Sequence, residues 1–181
     1  MDKSAMMFQG AIFPECYSQD VDPKGIEYTW KIPQNWERVF LYRLLNMTMP
    51  DPRLYEFLVN SFRLLDRMES GVADFHIPFL VSLLSFSGIQ PDVSHYHEGW
   101  VFELASGTFV PENEANAPII KGSEAKAIPF ISRINFSNMK SLRLTGVNRR
   151  QILYGLLNYY SYHFPGLGSL KSPEILREIF D

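Results

Sequence analysis

The sequence predicts a mainly α fold, a bundle of about six helices with a small β-hairpin insertion. Three observations lead there. After residue 33, apolar side chains recur at three- and four-residue intervals along most of the chain. One stretch, near 73–87, is apolar nearly all round, as the central helix of a domain is. A single run of β-formers, Trp100–Leu104 and Thr108–Val110, is broken by the turn Ala105-Ser106-Gly107 and reads as a hairpin.

Each element has its own reason. Residues 1–32 carry the turn formers Asp20, Asp22, Pro23, Lys24 and Gly25 and no helical stripe. They are expected to form an arm or remnant and are too short for a β-barrel. Trp36, Val39, Phe40, Leu44 and Met47 mark one face of a helix near 34–48. Asp51 can cap the next helix, and Pro52 at its first position loses no needed donor. Leu54, Phe57, Leu58, Ser61, Phe62, Leu65 and Met68 form its buried stripe, and Arg53, Glu56, Arg63, Asp66 and Arg67 its wet face. In the apolar helix near 73–87, Pro78 must fall in the first turns, and Gly88 and Pro91 stop it. After the hairpin, near 99–110, residues 111–122 are polar and rich in Pro, Asn and Gly, so a loop is expected. Ser123 can cap a helix running to about Ile134 with Pro129 inside it. Met139, Leu142 and Leu144 lie in a connecting piece. A long helix spans about 146–163, its broad face formed by Ile152, Leu153, Leu156, Leu157, Tyr160 and His163. Ser172-Pro173-Glu174 begins a last short helix, 173–180. No internal repeat or low-complexity tract appears.

Composition narrows the function. With 181 residues, 46% hydrophobic and 20% charged, the chain suits one ordinary domain, or one domain with a small appendage. Its net charge of −3 argues against bulk electrostatic binding of nucleic acid but leaves room for a local patch. The single cysteine, Cys16, excludes an internal disulfide framework and a zinc site built on several cysteines. No apolar run reaches membrane-spanning length, and Gln9, Gly10, Pro14 and Glu15 interrupt any signal-peptide core, so a soluble cytoplasmic protein is expected.

Charge is unevenly distributed. No Asp or Glu occurs from Ala125 through Pro173, where the chain's average would place about five. The same window holds Lys126, Arg133, Lys140, Arg143, Arg149, Arg150 and Lys171. One reading is a face for an anion, either nucleic-acid phosphates or an acidic peptide tail, contacted by Arg133, Lys140, Arg143, Arg149, Arg150 and Lys171. The other is a set of solvated charges scattered over several faces. Arg149 and Arg150 begin the long helix against its dipole, which favours a functional placement. They should nonetheless diverge by about 100° around it.

Other chemistry has less support. His95 and His97, if on a strand, would point to one side, but no third metal ligand lies at a recognisable spacing. His76 and His163 sit on apolar helix faces and read as hydrogen-bonded boundary residues. Cys16 has no basic neighbour to activate it. Gly166-Leu167-Gly168 follows a helix rather than opening one and is no phosphate loop. Tyr160 reads as core, and Tyr159 and Tyr162 as surface positions. No catalytic residues, metal or cofactor are expected.

Three motifs, in this order, resemble the RecO family of DNA recombination mediators. The first is Tyr42-Arg43-Leu44-Leu45 followed by Pro50-Asp51-Pro52-Arg53-Leu54-Tyr55-Glu56-Phe57-Leu58. The second is Gly71-Val72-Ala73-Asp74-Phe75-His76, with Gly88 and Pro91-Asp92 beyond it. The third is Leu156-Leu157-Asn158-Tyr159-Tyr160, then His163-Phe164-Pro165-Gly166-Leu167 and Leu170-Lys171-Ser172-Pro173-Glu174-Ile175-Leu176. The resemblance spans about residues 36–180. It implies a C-terminal helical domain over 33–181, of the type that lacks the four-cysteine zinc site many members carry at the hairpin. It also implies a preceding OB-fold, for which residues 1–32 are too short, so either a C-terminal fragment with an unrelated leader or a reduced relative is expected.

The resemblance further implies a non-enzymatic role in DNA repair and homologous recombination. The domain would bind the acidic, apolar-ended tail of single-strand-binding protein, with single-stranded DNA as a second candidate ligand, and assist recombinase loading with RecR. The alternative is a docking module that has lost DNA binding. A metal hydrolase using His95 and His97 is a distant third possibility. No membrane partner is expected.

Overall fold

The computed structural model describes residues 35–47, 51–141 and 144–167. Among them are five α-helices and a three-stranded antiparallel sheet. The chain divides into two compact units between Ser70 and Gly71.

The first unit holds α1 (Asn35–Met47) and α2 (Pro52–Arg67). In α1, Phe40, Leu41 and Leu44 are buried. Helix α2 begins as its sequence requires. The Asp51 carboxylate accepts from the Arg53 backbone N–H at 2.8 Å, and Pro52 occupies the first helical position. The Arg53 guanidinium also reaches Asp51, Nη2 to Oδ2 at 2.9 Å, and holds that carboxyl below its usual range. Leu54, Leu58, Ser61, Leu65 and Met68 are buried, one stripe at helical spacing. Arg53, Glu56, Arg63, Asp66 and Arg67 are exposed.

The second unit is built on α3 (His76–Phe86), which follows a 3-10 turn at Val72–Asp74. Every residue from Ile77 to Val81, with Leu83 and Leu84, is buried. Pro78, the third residue of the helix, has no intrahelical partner to lose. Phe75 stacks on Phe79 at 5.5 Å and meets Phe136 at 5.3 Å, which ties the helix start to the segment after α4.

Helix α3 packs against α5 (Gly146–His163). Thr145 caps α5 by accepting from the Asn148 N–H at 3.2 Å. Leu153, Leu156, Leu157, Tyr159 and Tyr160 are buried along it. The Tyr160 hydroxyl donates to the Leu80 carbonyl at 2.8 Å and fixes the two helices in register. Tyr159 differs from expectation: it is buried, because the sheet covers that flank of α5 and brings Phe102 to 5.8 Å from its ring.

The hairpin forms as expected, from β1 (Val101–Glu103) and β2 (Thr108–Val110), with Phe102 opposite Phe109. A third strand, β3 (Ile119–Ile120), pairs with the other edge of β1 and gives the order β2-β1-β3. It lies in the segment expected to be a loop. Glu103 explains the difference, since its carboxylate accepts from Ser106 Oγ at 2.7 Å and from the backbone N–H groups of Asn116 and Ala117 at 2.7 and 3.2 Å. One side chain thereby fixes the hairpin turn and delivers the chain to β3.

Those hydrogen bonds, the Ser106 hydroxyl's first, hold Glu103 below the ordinary glutamate range. A carboxyl whose pKa falls on folding supports the fold fully above its unfolded value, and that support fades as pH drops through the folded value. The Asn116 and Ala117 amide resonances should therefore shift together below pH 4.5, the ordinary value. Glu103→Gln, which keeps an acceptor oxygen in place, should abolish the step. An unchanged step in that variant would assign it to another group.

Helix α4 (Gly122–Ile131) starts two residues before, and ends three before, the expected bounds: Lys121 rather than Ser123 occupies the cap position, and it makes no side-chain cap. Pro129 removes one bond of its ladder. Past it, side chains compete for the backbone: Ser132 Oγ donates to the Ile128 carbonyl at 2.9 Å, and the Asn135 and Asn138 side-chain oxygens accept from the N–H groups of Ser137 and Asn135, both at 2.9 Å. The expected helix over 173–180 and the arm over 1–32 lie outside the described residues.

Candidate functional site

Within the second unit, α4, α5, the end of α3 and the sheet enclose an apolar groove of about 500 Å³. Val81 and Leu84 of α3, Phe102 and Ile120 of the sheet and Leu104 just after β1 line it. Ala127, Ile128 and Ile131 form the α4 wall, and Ile152 and Leu156 part of the α5 wall. Phe130 and Tyr154 stand at the rim, half-exposed at 52% and 51%. Asn148, Gln151 and Asn158 supply hydrogen-bonding amides along α5, and Glu124 is the acidic residue of the lining. Both helical walls belong almost wholly to the stretch without carboxylates. Such a groove can take up apolar side chains of a partner and hydrogen-bond its backbone.

Spacing explains the α5 wall. Residue 148, the pair 151 and 152, residue 155 and the pair 158 and 159 recur at three- or four-residue intervals and share one helix face. Tyr159, the last of them, is buried, and burial pushes its phenol up to about 12.

The basic candidates separate into distinct environments. Arg133 follows α4 and is exposed. Arg149 and Arg150 diverge as consecutive helical residues do: Arg150 is exposed, while Arg149 turns inward. The Arg149 Nε lies 2.8 Å from Asp74 Oδ1, with both side chains mostly shielded from solvent. This ion pair ties the start of α5 to the 3-10 turn before α3, so any anion would meet Arg149 with its charge already balanced. Lys126 pairs with Glu98 at 2.9 Å, which raises the lysine and lowers the glutamate pKa. Lys140 lies on a 3-10 turn, Met139–Ser141. Arg143 and Lys171 lie outside the described residues.

His95 and His97 lie in a turn region rather than on a strand. His95 Nε2 is 3.9 Å from Asp92 Oδ2, and the His97 ring packs on Trp100 at 4.5 Å. Among the described residues, no three His, Cys, Asp or Glu side chains are grouped to hold a metal. His163 ends α5 beside Tyr159, ring centroids 4.7 Å apart, and burial lowers its pKa. No described helix is long and apolar enough to cross a membrane.

The groove itself was not legible in advance, because its lining comes from segments scattered between residues 81 and 159. Its one sequence signal is the acid-free window that supplies two of its walls.

Comparison with known proteins agrees with this architecture. Residues 39–174 match the family model described as recombination protein O C terminal. The chain is 38% identical over 145 residues to the DNA repair protein RecO of Porphyromonas gingivalis, covering 78% of this chain and 59% of that protein. It is 30% identical over 141 residues to the RecO of Phocaeicola vulgatus, covering 78% and 58%, and 30% over 143 residues to that of Bacteroides fragilis, covering 78% and 59%. The chain thus spans less than two thirds of the length of these relatives. No solved structure matches it. With a helical unit, a small sheet and a family match over most of its length, the chain belongs to the RecO family.

Proposed function

We propose that this chain serves recombinational DNA repair without catalysis, as a docking domain for the acidic, apolar-ended tail of single-strand-binding protein. The observation that carries the reading is the apolar groove walled by α4 and α5, because its walls, Glu124 apart, come from a segment without carboxylates. An apolar residue of the tail enters the groove, and the acids before it lie along exposed cations, among them Arg133 and Arg150. RecO-family membership supports the repair role, with RecR as the further partner in recombinase loading. Single-stranded DNA is the second ligand of this reading. It would be held through Lys140, Arg143 and Lys171, since Arg149 is already paired with Asp74.

Fluorescence anisotropy with a labelled acidic-apolar tail peptide, and separately with labelled single-stranded DNA, tests both. The peptide should bind, and Arg133→Glu combined with Arg150→Glu should weaken it about tenfold or more at low salt. DNA binding should fall steeply between low and physiological salt, since phosphate contacts release counterions. Peptide binding with no DNA binding would leave a docking module. No peptide binding would reject the reading.

A further inference from the structure

Charge is segregated along the chain. From Met68 to Ile120 there is no Lys or Arg, where the chain's average would place about five, and there are seven carboxylates. The stretch without carboxylates, Ala125 to Pro173, follows almost at once. The fold brings the two stretches together. Asp74 takes Arg149 at 2.8 Å, Glu98 takes Lys126 at 2.9 Å, and Glu112 takes Lys121, at the border of the two stretches, at 3.2 Å. Glu98 reaches from the turn before β1 and Glu112 from the 3-10 turn after β2, so both cover cations at the start of α4. These cations do not serve the helix, because positive charge near a helix N-terminus opposes its dipole. Both pairs are exposed, so each is held weakly and can be exchanged for another anion. The Asp74 pair is mostly shielded and serves the fold.

We propose that Glu98 and Glu112 form an acidic cover over Lys126 and Lys121, a restraint that the phosphate backbone of single-stranded DNA displaces when it binds. This rests on single-stranded DNA being the second ligand proposed above, and it adds two cations to that ligand's contacts together with the residues that hold them back. Each carboxylate stands where a phosphate would. DNA must therefore compete with it, and binding is weaker and less salt-dependent than the full set of cations would make it. The cover favours a ligand of many closely spaced charges, which releases counterions as it binds, over a single carboxylate.

Anisotropy of labelled oligothymidine with the full chain, over about 50 to 200 mM salt, tests this. Glu98→Gln combined with Glu112→Gln should keep the wild-type circular dichroism, since both side chains are exposed. The double variant should bind about tenfold or more tightly at the lowest salt, and its slope of log affinity against log salt should steepen by about 1.4, the effect of two released cations at about 0.7 each. Glu114→Gln is the control. It removes an equal charge from the same 3-10 turn, and Glu114 has no ion pair among the described residues. It should leave the slope unchanged. Adding Lys121→Gln and Lys126→Gln to the double variant should cancel the gain. If wild type binds DNA and the double variant binds with the same slope, or if Glu114→Gln gains as much, the cover is rejected and the DNA reading stands. If neither wild type nor the double variant binds at about 50 mM salt, the DNA reading fails and this inference falls with it.

Discussion

Tyr160→Ala should unfold the second unit at temperatures where the wild-type chain is folded. The side chain is completely buried in the contact between α3 and α5, and its hydroxyl donates to the Leu80 carbonyl. Truncating a buried aromatic costs about 3–5 kcal/mol, from lost burial and from the cavity left behind. A domain of this size has about 5–15 kcal/mol in total. Tyr160→Phe separates the two contributions. It keeps the ring and removes one hydrogen bond, for about 1 kcal/mol. The Leu80 carbonyl lies inside α3, where the helix ladder also uses it, so the loss should fall at the lower end of that range. Thermal melts followed by circular dichroism would show a drop of about 2–4 °C for Phe and a drop several times larger for Ala. A Tyr160→Ala protein melting within a few degrees of wild type would mean that α3 and α5 are held elsewhere.

Gly107→Ala should be the second most damaging change, for reasons unrelated to the core volume. Gly107 has φ +66°, a conformation in which a side chain costs about 1–2 kcal/mol. Its added Cβ would also lie 2.7 Å from the Tyr159 hydroxyl. The residue cannot easily relax, because its N–H donates to the Glu103 carbonyl at 3.0 Å and its carbonyl accepts from the Asp92 N–H at 2.7 Å. Backbone strain and displacement together should cost about 2–3 kcal/mol. Adding Tyr159→Phe removes the clashing oxygen and leaves the strain, so the double variant should recover part of the loss and not all of it. Denaturant titration of the four proteins reads this directly. Full recovery would show that φ at 107 costs nothing, and no recovery that the hydroxyl simply moves aside.

The helices were readable in the sequence where local chemistry decides them. Asp51 with Pro52, the stripe through Leu54, Leu58, Ser61 and Leu65, and the apolar run of α3 each need only near neighbours to be interpreted. The failures were non-local. Tyr159 looked like a surface residue because helical spacing cannot say that a sheet covers a second flank of α5. Strand β3 was hidden in a polar stretch because its placement depends on Glu103, 13 residues before Asn116. The Arg149 pair with Asp74 spans 75 residues, so its inward turn left no trace in the local pattern. For the same reason the acid-free window, which covers most of α4 and all of α5, did not reveal the groove between them.

The contact between Leu80 and Tyr160 also has a consequence during synthesis. Its partners lie 80 residues apart in the chain. At a ribosomal rate of about 5–20 residues per second, the apolar α3 exists for about 4–16 seconds before the helix that covers it has been made. Throughout that interval the face of α3 that α5 covers has no native surface to join. The nascent chain should therefore be a client of holding chaperones from the emergence of α3 until α5 clears the exit tunnel, and slowing translation between them should increase aggregation rather than relieve it.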